Sequence, residues 1–182
     1  MKVLLLFADG FEDVEAIATR DVLIRAGIEV YDAKINDDNQ IVVASHKIAL
    51  AGLKSLKNIN VDEFEAIILP GGMRGVNNLL ASSEVERLLK EFNNKHKRVC
   101  AICAAPMVLS KAGLLKGKRF TCYPGCEEGL EGIYTGEEVV VTNNIITGRS
   151  MYFSIAFGLK IIELLLSKQD SDRIYRQIAG LK

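Results

Sequence analysis

Three short runs of this chain are apolar almost without interruption: residues 3–8 (VLLLFA), 66–69 (AIIL) and 99–102 (VCAI). A strand with one face in water alternates apolar and polar residues, whereas one covered on both faces does not. The runs therefore predict strands at Lys2–Phe7, Ala66–Leu69 and Val99–Ile102 inside a sheet buried on both sides. Helical patterns lie between them. Glu12–Arg25 places Val14, Ile17, Ala18, Val22, Leu23 and Ala26 on a common face, and Gly27 stops it. Val76–Leu80 and Val85–Phe92 read as helices with Ser82 or Ser83 as cap, Ala104–Ala112 as a helix ended by Gly113, and Phe153–Leu166 as a closing apolar helix.

Further strands are predicted at Ile28–Ala33, Arg119–Cys122, Val139–Thr142 and Ile145–Thr147, with a hairpin or short edge strands at Ile41–Ala44 and Ile48–Leu50. Strands alternating with helices specify an α/β fold: a mostly parallel sheet with helices on both faces, a three-layer sandwich. At 182 residues, with no linker or repeat, one domain over 1–182 is expected.

Several function classes drop out. Lys+Arg and Asp+Glu are 23 each, so the basic excess that nucleic acid or an anionic membrane demands is missing. No apolar run reaches the roughly 18 residues of a membrane span. Acidic residues follow the first strand too soon for a secretory leader, which predicts a cytoplasmic protein with reduced cysteines.

In such sheets, sites form beyond the carboxyl ends of the strands. Three strand ends stand out: 8–15 (ADGFEDVE), 69–72 (LPGG) and 102–106 (ICAAP). Ala101-Ile102-Cys103-Ala104-Ala105 has the small–x–nucleophile–x–small form of a sharp strand-to-helix elbow, where bulky neighbours would clash. Free N–H groups at the following helix start would stabilise a thiolate at Cys103, and Pro106 suits a first helical turn. The alternative is a buried structural cysteine. Glu15, on the first turn of the first helix, faces the same sheet edge. A carboxyl there can exchange a hydrogen bond or a proton with sulfur; the alternative is compensation of the helix dipole. Gly71 and Gly72 bring bare backbone to the edge, and the amides of Gly72 and Ala104 together would make an oxyanion hole.

These three segments in this order, with Gly148-Arg149-Ser150, resemble the ThiJ/PfpI superfamily, in the branch of the parkinsonism-associated protein deglycase. The resemblance implies a flavodoxin-like sandwich and a homodimer. It implies Cys103 as the reactive cysteine, Glu15 as its carboxyl partner, and Gly72 and Ala104 as backbone donors. Implied activities are cofactor-free glyoxalase or deglycase chemistry on small aldehydes or glycated substrates, and non-enzymatic redox protection in which Cys103 oxidises to sulfinate. The helix over 12–27 is the expected dimer face by the same analogy. Gly71, Tyr123, His46 and Arg149 are the expected substrate-binding positions. One departure stands out: where the branch commonly carries a histidine before a proline, this chain has Tyr123, and a phenol is a poor base near neutral pH. His46 is either a partial substitute at the pocket rim or an exposed hairpin residue.

Peptidase and amidotransferase readings are disfavoured, because Ala104 follows the cysteine and no histidine occurs after His96. No metal site is expected either. Cys100 and Cys103, three apart on a strand, should point to opposite faces, unable to share a metal or a disulfide. Cys122 or Cys126 remains a candidate resolving thiol for Cys103.

Overall fold

The structure, a computed structural model, describes residues 1–36, 38 and 40–181. In chain order the elements are β1 (Lys2–Phe7), α1 (Asp13–Arg25), β2 (Glu29–Lys34), β3 (Ile41–Val43), β4 (Ala49–Ala51), β5 (Lys54–Ser55), β6 (Ala66–Leu69), α2 (Met73–Ala81), α3 (Ser83–Asn94), β7 (Arg98–Ile102), α4 (Pro106–Lys111), β8 (Arg119–Phe120), β9 (Ile133–Tyr134), β10 (Val139–Thr142), β11 (Ile145–Gly148), α5 (Ser154–Leu165) and α6 (Lys168–Ile178). Seven strands form the central sheet in the order β10-β11-β7-β6-β1-β2-β5. All neighbouring pairs in it are parallel except β10–β11.

The continuous apolar runs do what their pattern requires. Along β1, Leu4 and Leu6 enter one core, with Leu79, Leu88, Phe92 and Leu109 from α2, α3 and α4. Val3, Leu5 and Phe7 enter the other, with Leu23, Phe157, Ile161 and Ile174 from α1, α5 and α6. Burying each such side chain contributes about 1.5–3 kcal/mol, so a polar residue on either face of β1 would open a core. This is the flavodoxin-like three-layer arrangement.

The topology fixes where a crevice must be. From β1 the chain passes to β2 on one side, and β6 later pairs with β1 on the other. The loops after β1 and β6 thus diverge at the carboxyl edge, at the switch point where doubly wound sheets bind ligands. β7 lies next to β6, so the turn after it borders the same crevice.

Four expectations change. First, α1 buries Ala16, Thr19, Val22 and Leu23, while Val14 and Ile17 from the expected core face are exposed; the helix carries two apolar rows rather than one. Second, the helix expected from Ala104 begins at Pro106, because Ala104 and Ala105 belong to the turn that leaves β7. Third, the strand expected over Arg119–Cys122 stops at Phe120, where the amide of Thr121 turns to Thr147 Oγ1 at 2.9 Å. Fourth, β5, β9 and α6 were not anticipated.

Candidate active site

Cys103 is the first residue beyond β7. Its φ is +63°, in the left-handed region that non-glycine residues rarely occupy. Its amide donates to Gly148 O at 2.9 Å, and its carbonyl accepts the amide of Tyr123 at 2.9 Å. These two bonds, to the end of β11 and to the loop after β8, hold the strained turn in place. The left-handed residue also breaks the strand alternation. Cys103 therefore packs against the same core as Cys100 rather than the opposite one, which corrects the expected geometry. All four cysteines are free. Cys122 and Cys126 lie in the other core.

Glu15 is 1% exposed. The turn before it is built by its own neighbours: Glu12 Oε2 accepts the amide of Glu15 at 2.7 Å, capping α1. Glu15 Oε2 accepts the amide of Gly71 at 2.7 Å, while Oε1 is buried with no partner of ordinary hydrogen-bond geometry among the described residues. The carboxyl and the Cys103 thiol interact directly. Gly71 sits against both groups: a Cβ on it would lie 2.6 Å from Glu15 Oε2 and 2.7 Å from Cys103 Cβ. Gly72, with φ +85°, passes so close to the first loop that a Cβ would lie 2.5 Å from Gly10 O. Only glycine satisfies both positions.

Burial pushes the Glu15 carboxyl up to about 7; hydrogen bonds from Cys103 and Gly71 pull the other way, and the Glu12 charge adds to the rise. Burial likewise raises the Cys103 thiol, and the Glu15 charge and hydrogen bond raise it further, against the amides of Ala104 and Gly72. The helix start alone predicts an acidic thiol; burial of the sulfur, with the carboxylate beside it, reverses that. The two groups titrate as one unit. With Glu15 protonated, the Coulomb penalty vanishes, its O–H can donate to sulfur, and the two amides face a thiolate. With Glu15 ionised, the thiol is the donor.

The other expected residues take different places. Tyr123 is joined to Cys103 by its backbone, and the residue is 52% exposed. Arg149 follows β11, donates Nη1 to Gly136 O at 2.8 Å, and stacks its guanidinium 4.5 Å from the Phe153 ring centre. His46 lies in the turn between β3 and β4, where its amide and Nδ1 contact Asp13 Oδ2 at 3.1 and 2.8 Å. Its partner is thus Asp13, not Cys103. Burial tends to raise the Asp13 carboxyl, but the hydrogen bonds from His46 outweigh it and hold the acid below the usual range. Sequence reasoning missed Asp13, since 33 residues separate it from His46 and no local pattern marks the contact. No helix among the described residues is long and apolar enough to cross a membrane.

Comparison with known proteins agrees with this architecture. Residues 1–164 match the model of the DJ-1/PfpI family. The dj-1beta protein of Drosophila melanogaster is 37% identical over 169 residues, covering 91% of this chain and 90% of that protein. Its crystal structure superposes with a TM-score of 0.93 at 34% identity, over 100% of this chain and 98% of that one. A protein named as a deglycase, from Pyrococcus abyssi, is 34% identical over 91% of this chain and 99% of its own length. Toxoplasma gondii DJ-1, solved in an oxidized form, has a TM-score of 0.91 at 32% identity, over 98% of this chain and 97% of that one.

Proposed function

The chain belongs to the DJ-1/PfpI family, and we propose that it works as one domain over 1–182 to remove small reactive aldehydes or their glycation adducts, without a cofactor, through Cys103 and Glu15. The observation that carries this is the buried Glu15 carboxyl held by Gly71 beside a thiol flanked by the amides of Gly72 and Ala104. A relative named as a deglycase supports the substrate class.

For methylglyoxal the steps balance. Cys103 sulfur adds to the aldehyde carbon, forming a C–S bond, and the carbonyl π electrons move to oxygen. The Gly72 and Ala104 amides hold that oxygen, and Glu15 supplies its proton, giving a hemithioacetal. Glu15 then takes the proton from the former aldehyde carbon and returns one to the adjacent carbon, while the hydroxyl proton passes to the former ketone oxygen through the enediol, leaving a lactoyl thioester. Water cleaves the C–S bond and releases lactate, so aldehyde plus water gives acid with no external oxidant. Tyr123 borders the site through its backbone bond to Cys103, and Arg149 follows Gly148, whose carbonyl holds the Cys103 amide; both would shape the rim.

A second reading has its own support in the oxidized Toxoplasma neighbour. Peroxide takes Cys103 to sulfenate and a second equivalent takes it to sulfinate, each peroxide leaving as water. Protonated Glu15 would donate to a sulfinate oxygen, making the protein a redox sensor. Incubation with methylglyoxal and no additive separates the two. Lactate that disappears in Cys103→Ser carries the first reading; no lactate, with selective oxidation of Cys103 by mild peroxide, carries the second.

The second apolar row of α1 bears on assembly. Val14, Ile17 and Ile24 are 44%, 41% and 43% exposed, and Ile48 of the hairpin, at 53%, lies beside Val14 and Ile17. Such a patch on a chain with no net charge favours self-association in a cytoplasmic setting, and a homodimer through this face completes the proposal.

A further inference from the structure

We propose that Glu12, Asp13 and His46 form a binding site for a divalent metal of the zinc class, separate from Cys103. Each of the three offers one ligand atom, and these atoms lie within 4.8 Å of one another. Two segments distant in sequence are clamped to make this meeting. The amide of Gly10 donates to Val43 O at 2.7 Å, the amide of Ser45 to Phe11 O at 2.8 Å, and Ser45 Oγ to Gly10 O at 2.9 Å. The turn carrying His46 is thereby fixed against the start of α1.

A second observation points to a missing partner. Asp13 is 8% exposed, and its Oδ1 is buried without a hydrogen-bond partner among the described residues. Oδ2 alone is used, by His46. A buried carboxylate oxygen left unpaired carries an uncompensated desolvation cost, and a cation removes that cost. Among the described residues, no lysine or arginine pairs with Glu12 or Asp13. Glu12 spends one oxygen on the cap of α1.

The donor set selects the ion. One imidazole with two carboxylates suits zinc and its first-row neighbours; magnesium and calcium prefer oxygen alone, and copper(I) prefers sulfur. Ligands at about 2.0–2.2 Å from zinc stand roughly 3.3–3.6 Å apart in a tetrahedron. The 76% exposed His46 side chain can swing to close the remaining gap, and water fills the open position. The inference does not rest on the aldehyde chemistry.

The test is a titration of chelator-stripped full-length protein with Co²⁺, followed by visible absorption and by Zn²⁺ competition. The expected result is one Co²⁺ per chain, with the spectrum of nitrogen and oxygen ligands and no thiolate charge-transfer band. Affinity should fall more than about 100-fold, beyond the roughly 10–100-fold loss typical of an outer-shell partner, in His46→Ala and in Asp13→Asn, and should persist in Cys103→Ser. His46 is exposed, so its variant leaves the fold intact. Absence of binding, a thiolate band lost in Cys103→Ser, or an affinity unchanged in His46→Ala would each overturn the proposal.

Discussion

Glu15 Oε2 accepts the amide of Gly71 at 2.7 Å, a bond that joins the first turn of α1 to the end of β6. It aims a carboxyl that would otherwise be free to rotate, and it crosses the crevice that the strand order opens. The acid is thereby delivered to the thiol of the next strand.

Gly71→Ala tests that bond. The added Cβ would lie 2.6 Å from the carboxyl and 2.7 Å from Cys103 Cβ, so one of them must move. Overpacking of this kind costs about 1–3 kcal/mol. A urea midpoint lowered to that extent, with a folded protein and at least a ten-fold loss of Cys103-dependent lactate, is the expected outcome. An unchanged turnover would show that the position of Glu15 is immaterial.

Glu15→Gln should make Cys103 more acidic. Burial raises the thiol in both proteins, but the variant loses the added contribution of the Glu15 charge. The pH midpoint for iodoacetamide alkylation of Cys103, mapped by peptide mass, is therefore predicted to move down. A midpoint at or above that of the wild type would contradict the coupling.

Stability should depend on pH through the same acid. The folded state holds the Glu15 proton up to about 7, against 4.5 for a free glutamate. Between those values the folded state binds more protons than the unfolded one, so stability falls as pH rises, by up to about 3 kcal/mol. Asp13 is lowered instead and acts only below 3.8, outside this window. Denaturant midpoints of chelator-treated protein should decline from pH 4.5 to 7, and the decline should flatten in Glu15→Gln. Parallel curves for the two proteins would contradict the assignment.

Ile17→Asp tests the proposed dimer. Ile17 is 41% exposed on the second apolar row of α1, so the change should spare the monomer fold. Sedimentation should show a dimer for wild type and a shift towards monomer for the variant. A wild-type monomer, or a variant that remains fully dimeric, would remove this face from consideration.

The sequence was most legible where local pattern and burial agree. The doubly buried β1, β6 and β7 announce themselves as apolar runs, and the three loops at their ends assemble as their positions require. Cys103, Glu15, Gly71 and Gly72 were therefore within reach. What stayed hidden depends on long-range contact. Val14 and Ile17 read as core because periodicity cannot distinguish the face toward the sheet from an apolar face toward solvent. The pairing of His46 with Asp13 arises from a hairpin folded over the first loop, which no spacing records. Cys103 lies on the same side as Cys100 because one left-handed residue overrides strand alternation. α6, by contrast, carried a signal: Ser167 and Asp170 cap it, and Ile174 anchors it in the core.

The most direct test of the central claim is to trap the first covalent step. Wild type, Glu15→Gln and Cys103→Ser are exposed briefly to methylglyoxal, quenched, and mapped by peptide mass. Addition at Cys103 with proton transfer by Glu15 predicts one aldehyde mass on the Cys103 peptide, accumulating in Glu15→Gln, turned over in wild type and absent from Cys103→Ser. Adducts confined to arginine and lysine, in equal amounts in all three proteins, would contradict it.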